Sequence, residues 1–222
     1  VHLDRSGAEG LVDALADTAY VVRSVESKPY RRSPYAPFRT TTLQQEASRK
    51  LGMSASTTMS VAQRLYENGF ITYMRTDSTT LSGAALNAAR NQVRELYGAE
   101  YLPDAPRTYA SKVKNAQEAH EAIRPAGESF RTPGQTGLTG EQFRLYELIW
   151  KRTVASQMKD AEGNTVSVKI GATLPHRVKV ADASTGEFVE SGRASFAASG
   201  RTITFLGFLK AYVESVDDDQ AT

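Results

Sequence analysis

The spacing of apolar residues changes near residue 160, and this change limits the folds open to the chain. Before it, apolar residues recur every three to four positions, as on one face of a helix. After it, apolar and polar residues alternate, as they do in half-buried strands. Helical segments followed by strands, rather than alternating with them, predict an α+β fold without a parallel sheet.

The helical part contains four predicted helices, several beginning at Ser or Thr residues that can cap a helix and ending at a glycine. The first two, joined by a tight glycine turn and followed by a short strand, are typical of a winged-helix or CAP-like helix-turn-helix element. The four segments are TTTLQQEASRKLG (40–52), SASTTMSVAQRLYENG (54–69), LSGAALNAARNQVRELYG (81–98) and EQFRLYELIWKRTVASQM (141–158).

The alternating part predicts a small antiparallel β unit of four strands separated by turn residues. These strands are NTVSVKIG (164–171), HRVKVAD (176–182), FVESGRASFAA (188–198) and RTITFLGF (201–208). Near the N-terminus a short helix (6–18) precedes a similar strand (19–28) and a proline-rich segment (29–38) that is either a linker or an extended crossing segment. We therefore expect a discontinuous β-rich domain of residues 1–36 and 163–222, with a helical domain of residues 37–162 inserted in it.

Composition excludes several classes of site. The chain has no cysteine and only three scattered histidines, so disulfides and cysteine or histidine zinc sites are not expected. No apolar run reaches the roughly 18 residues of a membrane span. Residues 37–126 carry 11 basic against 8 acidic residues, a modest local excess that suits contact with nucleic acid. The polar N-terminus lacks an initiator methionine and suggests a piece of a longer protein.

The segment GFITYMRTDSTT (69–80) is the first candidate for chemistry. As a strand it would align Ile71, Tyr73, Arg75 and Asp77 on one face. Arginine can hold a phosphate in a bidentate contact while a tyrosine oxygen attacks phosphorus. The structural alternative is a wing strand with a packed tyrosine and an ion pair at the surface.

The second candidate is AHEAIRP (119–125). On a helical turn His120 and Arg124 would share a face, and Pro125 would end the helix. A histidine beside an arginine can donate to a phosphate oxygen or relay a proton. The alternative is a capped helix end in which His120 bonds a backbone group.

Together these motifs point to a known family. In order and spacing, PFRTTTLQQEASRKLG, MSVAQRLYENGFITYMRTDSTTLS and YASKVKNAQEAHEAIRP closely resemble the central segments of bacterial type IA DNA topoisomerase I. The resemblance implies that Tyr73 is the nucleophile that cleaves single-stranded DNA and becomes a 5′-phosphotyrosine. It implies that Arg75 contacts the scissile phosphate and that His120 donates a hydrogen bond or relays a proton there. Thr76, Ser78 and Arg124 are further expected DNA contacts.

The resemblance also implies partners and a cofactor. The DNA partner would be single-stranded or negatively supercoiled, strand passage would relax it, and the enzyme would be cytoplasmic and associated with the nucleoid. The family's toprim domain binds Mg²⁺ through a Glu and an Asp-x-Asp cluster that this sequence lacks. We therefore expect no metal on this chain, partnership with the missing domains, and little or no cleavage by the chain alone. The alternative is a non-catalytic winged-helix DNA-binding module.

Overall fold

The computed structural model of the chain describes residues 2–16, 18–109 and 121–217, with the backbone alone for 214–217. The described parts of residues 1–30 and 163–204 form one compact unit, here called the sheet unit. Those of residues 31–162 and 205–222 form the other, the helical unit.

The described residues contain six α-helices and three β-strands, so the predicted α+β class is confirmed. The strands form one antiparallel sheet in the order β1-β2-β3. The helices are Arg5–Leu15 (α1), Thr40–Leu51 (α2), Ala55–Glu67 (α3), Gly83–Leu96 (α4), Gly140–Ala155 (α5) and Lys210–Asp217 (α6). The strands are Tyr20–Arg32 (β1), Ala161–Ala181 (β2) and Phe188–Phe205 (β3).

The four predicted strands after residue 160 are in fact two long ones. Pro175 does not interrupt β2, although proline removes a ladder donor. Gly171 packs against Arg23, near the start of β1. Because the strands run antiparallel, Pro175, four residues later, lies beyond Tyr20, the first residue of β1. A backbone N–H at position 175 would have no β1 carbonyl to bond. The predicted turn near Gly200 is likewise absent from β3.

Of the two alternatives for residues 29–38, the extended segment holds over the first residues, because β1 continues to Arg32. Pro29 is tolerated there since β1 is the first strand in the sheet order and has one open edge. The sheet unit has only a small core, in which α1 covers short side chains of β2 and β3. This core consists of Ala14, Leu15, Ala172, Leu174 and Ala194.

The helical unit has the larger core, and α5 lies at its centre. Helices α2, α3 and α4 all pack on α5. Leu145 and Ile149 of α5 are fully buried, as are Leu43 of α2, Leu65 of α3 and Val93 of α4. Each buried aliphatic side chain of this kind contributes about 1.5–3 kcal/mol relative to exposure.

Glycine and serine residues at the helix ends form the capping interactions that the sequence predicts. Gly52 ends α2 in the left-handed region at φ 68°, and its N–H bonds back to the carbonyl of Ser48. Ser54 caps α3 by accepting from the N–H of Thr57 at 3.0 Å. Ser82 caps α4 by accepting from the N–H of Ala85.

The strand expected at 69–80 is not formed, which corrects the sequence-based expectation. The segment makes only an isolated bridge, between Ile71 and Pro125. Proline has no N–H and cannot extend a regular ladder, so the pairing stays short. Ile71 also faces the core, at 2% exposure, instead of sharing the open face of Tyr73.

Asp160, just before β2, links two distant segments of the helical unit through Arg31 and Arg107. Its carboxylate accepts from Arg31, at the end of β1, and from Arg107, each at 2.5 Å. Burial alone would raise the pKa of Asp160, but the charge of Arg107 and hydrogen bonds from Ser33, Arg107 and Arg31 lower it. Gly207 packs so closely that a Cβ atom would lie 2.1 Å from the Asp160 carbonyl oxygen.

We expect Asp160→Asn to destabilise the helical unit by about 1.5–3 kcal/mol at pH 7, because two charge-assisted hydrogen bonds lose their acceptor. Since folding lowers the pKa of Asp160, its contribution is present above the unfolded pKa and lost as the pH falls through the folded pKa. Urea unfolding at pH 7 and near pH 3 should show a smaller gap between variant and parent at the lower pH. Asp104→Asn is the control, because Asp104 is an exposed acid that lines the same surface cleft as Arg107 and Asp160. An unchanged gap between the two pH values would contradict the assignment.

Candidate functional site

Two segments far apart in sequence lie side by side in the helical unit. The N–H of Thr72 donates to the carbonyl of Arg124 at 2.9 Å, and the Thr72 hydroxyl donates to the carbonyl of Ala122 at 2.7 Å. In return the N–H of Arg124 donates to the Thr72 hydroxyl at 3.0 Å. The fold therefore brings the TYMRTDS motif against the described part of the AHEAIRP motif.

Helix α2 holds the same segment from its other side. The N–H of Thr40 donates to the carbonyl of Thr76 at 2.9 Å, and the Thr40 hydroxyl donates to the carbonyl of Met74 at 2.8 Å. The sequence suggested this threonine run as a helix cap, and Thr42 has that role, since its hydroxyl accepts from the N–H of Arg39 at 3.1 Å. Thr40 instead anchors the segment that carries Tyr73.

Between these anchors buried and exposed side chains alternate. Met74 and Thr76 are buried, at 1% and 7% exposure, whereas Tyr73, Arg75 and Asp77 are exposed. The burial of Met74 in the core fixes which way its neighbours point. Tyr73, Arg75 and Asp77 are therefore all open to solvent.

The Tyr73 ring is 44% exposed and lies edge-on to the ring of Tyr66 from α3. Their centroids are 5.3 Å apart at an interplanar angle of 69°. This is a favourable aromatic geometry that restricts the tyrosine ring. Among the described residues none hydrogen-bonds the Tyr73 hydroxyl, so its oxygen is open to a reacting group.

Arg75 lines an open groove of about 550 Å³ along α3. Arg64 lines the same groove, together with residues that carry hydroxyl and amide groups. The remaining lining residues are Ser56, Met59, Ser60 and Gln63. Two arginines and several polar residues along one groove suit contact with a phosphate-bearing chain.

Sequence reasoning missed Arg64, Ser60 and Gln63. Their signal was present, because they recur at helical spacing on the polar face of α3, opposite Val61 and Leu65. That spacing alone does not separate a ligand-binding face from a solvated one. The position of Arg75 beside α3 supplies the distinction, and it comes from the tertiary fold.

Thr76 and Ser78 are engaged within the chain. The buried Thr76 hydroxyl accepts from the N–H of Ser78 at 3.1 Å, and its own N–H donates to Thr40. The half-buried Ser78 hydroxyl accepts from the N–H of Thr80 at 3.1 Å. Both residues shape the turn that follows Arg75.

Arg124 is 8% exposed and its donors are occupied. Its guanidinium forms an ion pair with Glu121 at 2.5 Å and donates to the carbonyls of Pro125 and Gly127. Burial favours a higher pKa for Glu121, but hydrogen bonds from Ser82 and Arg124 outweigh it and lower that pKa. In this structure Arg124 holds the segment beside Thr72 together.

Three further expectations concern His120, a metal site and a membrane span. His120 lies outside the described residues. In the parts of the chain that the structure describes, no group of three or more His, Asp or Glu side chains could hold a metal ion. The described residues therefore do not fit a Mg²⁺ site. Their helices also include none long and apolar enough to cross a bilayer.

Comparison with known proteins identifies the family. A family model described as DNA topoisomerase matches residues 2–222. DNA topoisomerase 1 of Streptomyces coelicolor is 70% identical over 221 residues, covering 100% of this chain and 22% of that protein. DNA topoisomerase 1 of Mycobacterium tuberculosis is 59% identical over 223 residues, covering 98% of this chain and 22% of that protein.

A solved structure agrees. Full-length topoisomerase I from Thermotoga maritima superposes with a TM-score of 0.68 at 36% identity, covering 93% of this chain and 32% of that one. The chain spans about a fifth of the length of the curated relatives it matches, and these relatives are named DNA topoisomerase 1. The motifs, the matched length and the shared fold agree that this chain belongs to the bacterial type IA DNA topoisomerase I family.

Proposed function

We propose that this chain supplies the nucleophile of a DNA topoisomerase and that Tyr73 is the attacking residue. One observation carries the proposal: the two motif segments are hydrogen-bonded side by side and leave both Tyr73 and Arg75 exposed. A structural tyrosine at this position would normally bury its ring or bond its hydroxyl. An exposed tyrosine two residues before an exposed arginine suits attack on a phosphodiester.

The proposed reaction is a reversible transesterification on single-stranded DNA. The Tyr73 oxygen attacks phosphorus and loses its proton, while the bond from phosphorus to the 3′ oxygen breaks. The leaving 3′ oxygen takes up a proton, which gives a 5′-phosphotyrosine and a free 3′-hydroxyl. One phosphoester bond replaces another, so attack by the 3′-hydroxyl reseals the strand after another strand has passed and negative supercoils have relaxed.

In this proposal Arg75 binds the scissile phosphate and stabilises the charge that develops on its oxygens. The edge-on ring of Tyr66 restricts the orientation of Tyr73, which reduces the entropy lost on reaching the reactive geometry. His120 remains the proposed hydrogen-bond donor or proton relay. Arg64 joins the sequence-predicted residues as a contact for the adjoining phosphate.

Thr76, Ser78 and Arg124 enter the proposal with separate roles. Ser78 is half-buried and is proposed as a direct DNA contact. Thr76 and Arg124 are proposed to act indirectly, because their polar groups already hold the backbone on either side of Tyr73. Direct binding of phosphate by Arg124 would require its ion pair with Glu121 to open.

The domain roles follow from the same proposal. Residues 37–162 would be the winged-helix or CAP-like domain that carries the tyrosine. Residues 1–36 and 163–222 would be the arch that lets it move. The two compact units of the structure have other boundaries than these domains, because residues 31–36 and 205–217 belong to the helical unit.

The proposal assigns Mg²⁺ to another part of the parent enzyme, because the described residues here do not fit a metal site. Phosphodiester cleavage needs several preorganised charges. The chain alone is therefore expected to be inactive. Its proposed partners are DNA and the remaining domains of the enzyme, acting in the cytoplasm at the nucleoid.

A covalent-adduct assay tests the nucleophile. We expect a labelled single-stranded oligonucleotide to become attached to the chain only when Mg²⁺ and the separately produced remainder of a relative are both present. Tyr73→Phe removes only the hydroxyl and should abolish the adduct while leaving DNA affinity within about twofold. Denaturing gel electrophoresis followed by peptide mapping measures both the yield and the attachment site.

An adduct that persists in Tyr73→Phe, or maps to another residue, would reject Tyr73 as the nucleophile. An adduct formed by the chain alone would reject the proposed dependence on other domains. If the two pieces associate and bind DNA without any adduct, the chain is a non-catalytic DNA-binding module.

Arg75→Lys tests the bidentate contact, because lysine keeps the charge and loses the planar fork. In the reconstituted assay we expect the rate of adduct formation to fall roughly ten- to hundredfold. Arg94→Lys, an exposed arginine on α4, is the matched control and should leave the rate unchanged. If Arg75→Lys forms the adduct as fast as the parent, the proposed bidentate contact of Arg75 with the phosphate is wrong.

Arg124→Gln tests the indirect role. We expect the free energy of unfolding to fall by about 1.5–3 kcal/mol, since Glu121 and two carbonyls lose a charged donor. DNA affinity, measured where both proteins are folded, should stay within about twofold. Arg131→Gln, an exposed arginine that donates to the Gly69 carbonyl, is the control. Unchanged stability with clearly weaker DNA binding would instead make Arg124 a direct contact.

A further inference from the structure

Tyr35 is an aromatic residue that the candidate site does not use. Its ring is 60% exposed, more than Tyr66 or Tyr73. It lies in a short segment between Pro34 and Pro37, just before the fully buried Phe38. Proline restricts the backbone on both sides, so the ring is presented to solvent with little conformational freedom left to lose.

Two arginines of the helical unit lie over aromatic rings at this point. The Arg152 guanidinium is 4.9 Å from the Tyr35 ring centroid and 4.3 Å from that of Phe38. The Arg32 guanidinium is 5.7 Å from the Tyr35 centroid. Arg152 is 8% exposed, whereas Arg32 is exposed. The tyrosine therefore lies close to one buried and one exposed cation.

Helix α2 adds more positive charge beside them. Arg49, with 65% of its side chain exposed, and Lys50 both pair with Glu46. Burial lowers the pKa of Lys50, and the nearby charges of Arg49, Arg152 and Lys151 lower it further against the pull of Glu46. Cations thus outnumber carboxylates here, and an added anion would relieve the repulsion between them.

These residues are separate from the groove beside Tyr73. Thr40, at the start of α2, anchors the backbone of Met74 and Thr76. Arg49 is nine residues farther along the helix, which corresponds to about 14 Å of axial rise. A ligand at Tyr35 would therefore contact a different part of the helical unit.

We propose that Tyr35, Arg32 and Arg49 form a second binding site for single-stranded DNA. An unpaired base stacks on the Tyr35 ring, and Arg32 and Arg49 contact the flanking phosphates. That the ligand is DNA rests on the proposed function. That it is a chain of bases and phosphates rests on the exposed Tyr35 ring and the excess of positive charge around it. A duplex fits less well, because its bases are already stacked and cannot cover the ring.

The stacking contact is tested by fluorescence anisotropy with a labelled oligothymidine and the 222-residue chain carrying Tyr73→Phe. Since stacking on an aromatic side chain contributes about 1–3 kcal/mol per base, Tyr35→Ala should weaken binding at least about fivefold. Tyr35→Phe keeps the ring and should bind within about twofold of the parent. Tyr20→Ala, an exposed tyrosine of the sheet unit, is the control and should bind normally.

The phosphate contact is tested by the dependence of affinity on salt. Arg49→Ala should reduce the slope of log affinity against log salt by about 0.7, the value for one contact to single-stranded DNA. Arg94→Ala, an exposed arginine of α4, should leave the slope unchanged. Thermal melting of every variant verifies that the fold is intact.

Normal binding by Tyr35→Ala would overturn the proposal, as would an equal loss of affinity for duplex and single-stranded DNA. An unchanged salt slope in Arg49→Ala would remove the phosphate contact and overturn the site as stated. Because binding is measured without cleavage, the outcome is independent of the adduct assay. A chain that forms no adduct but loses affinity on Tyr35→Ala would retain this site and lose the proposed catalytic role.

Discussion

The hydrogen bonds between residues 72 and 122–124 are the interaction on which the candidate site depends. They join the chain across about fifty residues through one threonine, whose hydroxyl donates to Ala122 and accepts from Arg124. Such contacts gain stability only after a long loop has closed. The helical core supplies that closure, since buried Ile71 and Ile123 lie in the same apolar cluster. Without this pairing neither motif would be held beside the other.

Burial then decides which side chains remain available for chemistry. Met74 and Thr76 point inward and are satisfied by packing and by Thr40, so Tyr73 and Arg75 must point outward. Tyr66 limits the motion of the exposed ring without closing the hydroxyl. The same logic places Arg64 and Arg75 in one groove, although they come from different elements. A rigid frame that leaves two functional groups exposed is a common way to build a reactive surface.

The helical unit carries positive charge in two settings with different physical consequences. Arg124 is buried, and each of its three guanidinium nitrogens donates to Glu121 or to a backbone carbonyl, so it contributes to stability. Arg32 and Arg49 are exposed beside an aromatic ring and remain accessible to an anion. Counting arginines in the sequence cannot separate these cases. The separation depends on which carboxylates and carbonyls the fold places within reach.

The sequence by itself determined the α+β class, the starts and ends of the main helices, and the pair of motifs that identify the family. These follow from local periodicity, capping residues and spacing, which act over a few residues. It predicted four strands where two run on, and a strand at 69–80 where one bridge forms, because strand continuity depends on a neighbour that the sequence does not specify. Only the tertiary structure turned Ile71 inward, occupied Arg124 and placed Arg64 beside Arg75. These outcomes depend on burial and on partners far away in the chain, whose positions are fixed only when the core has packed.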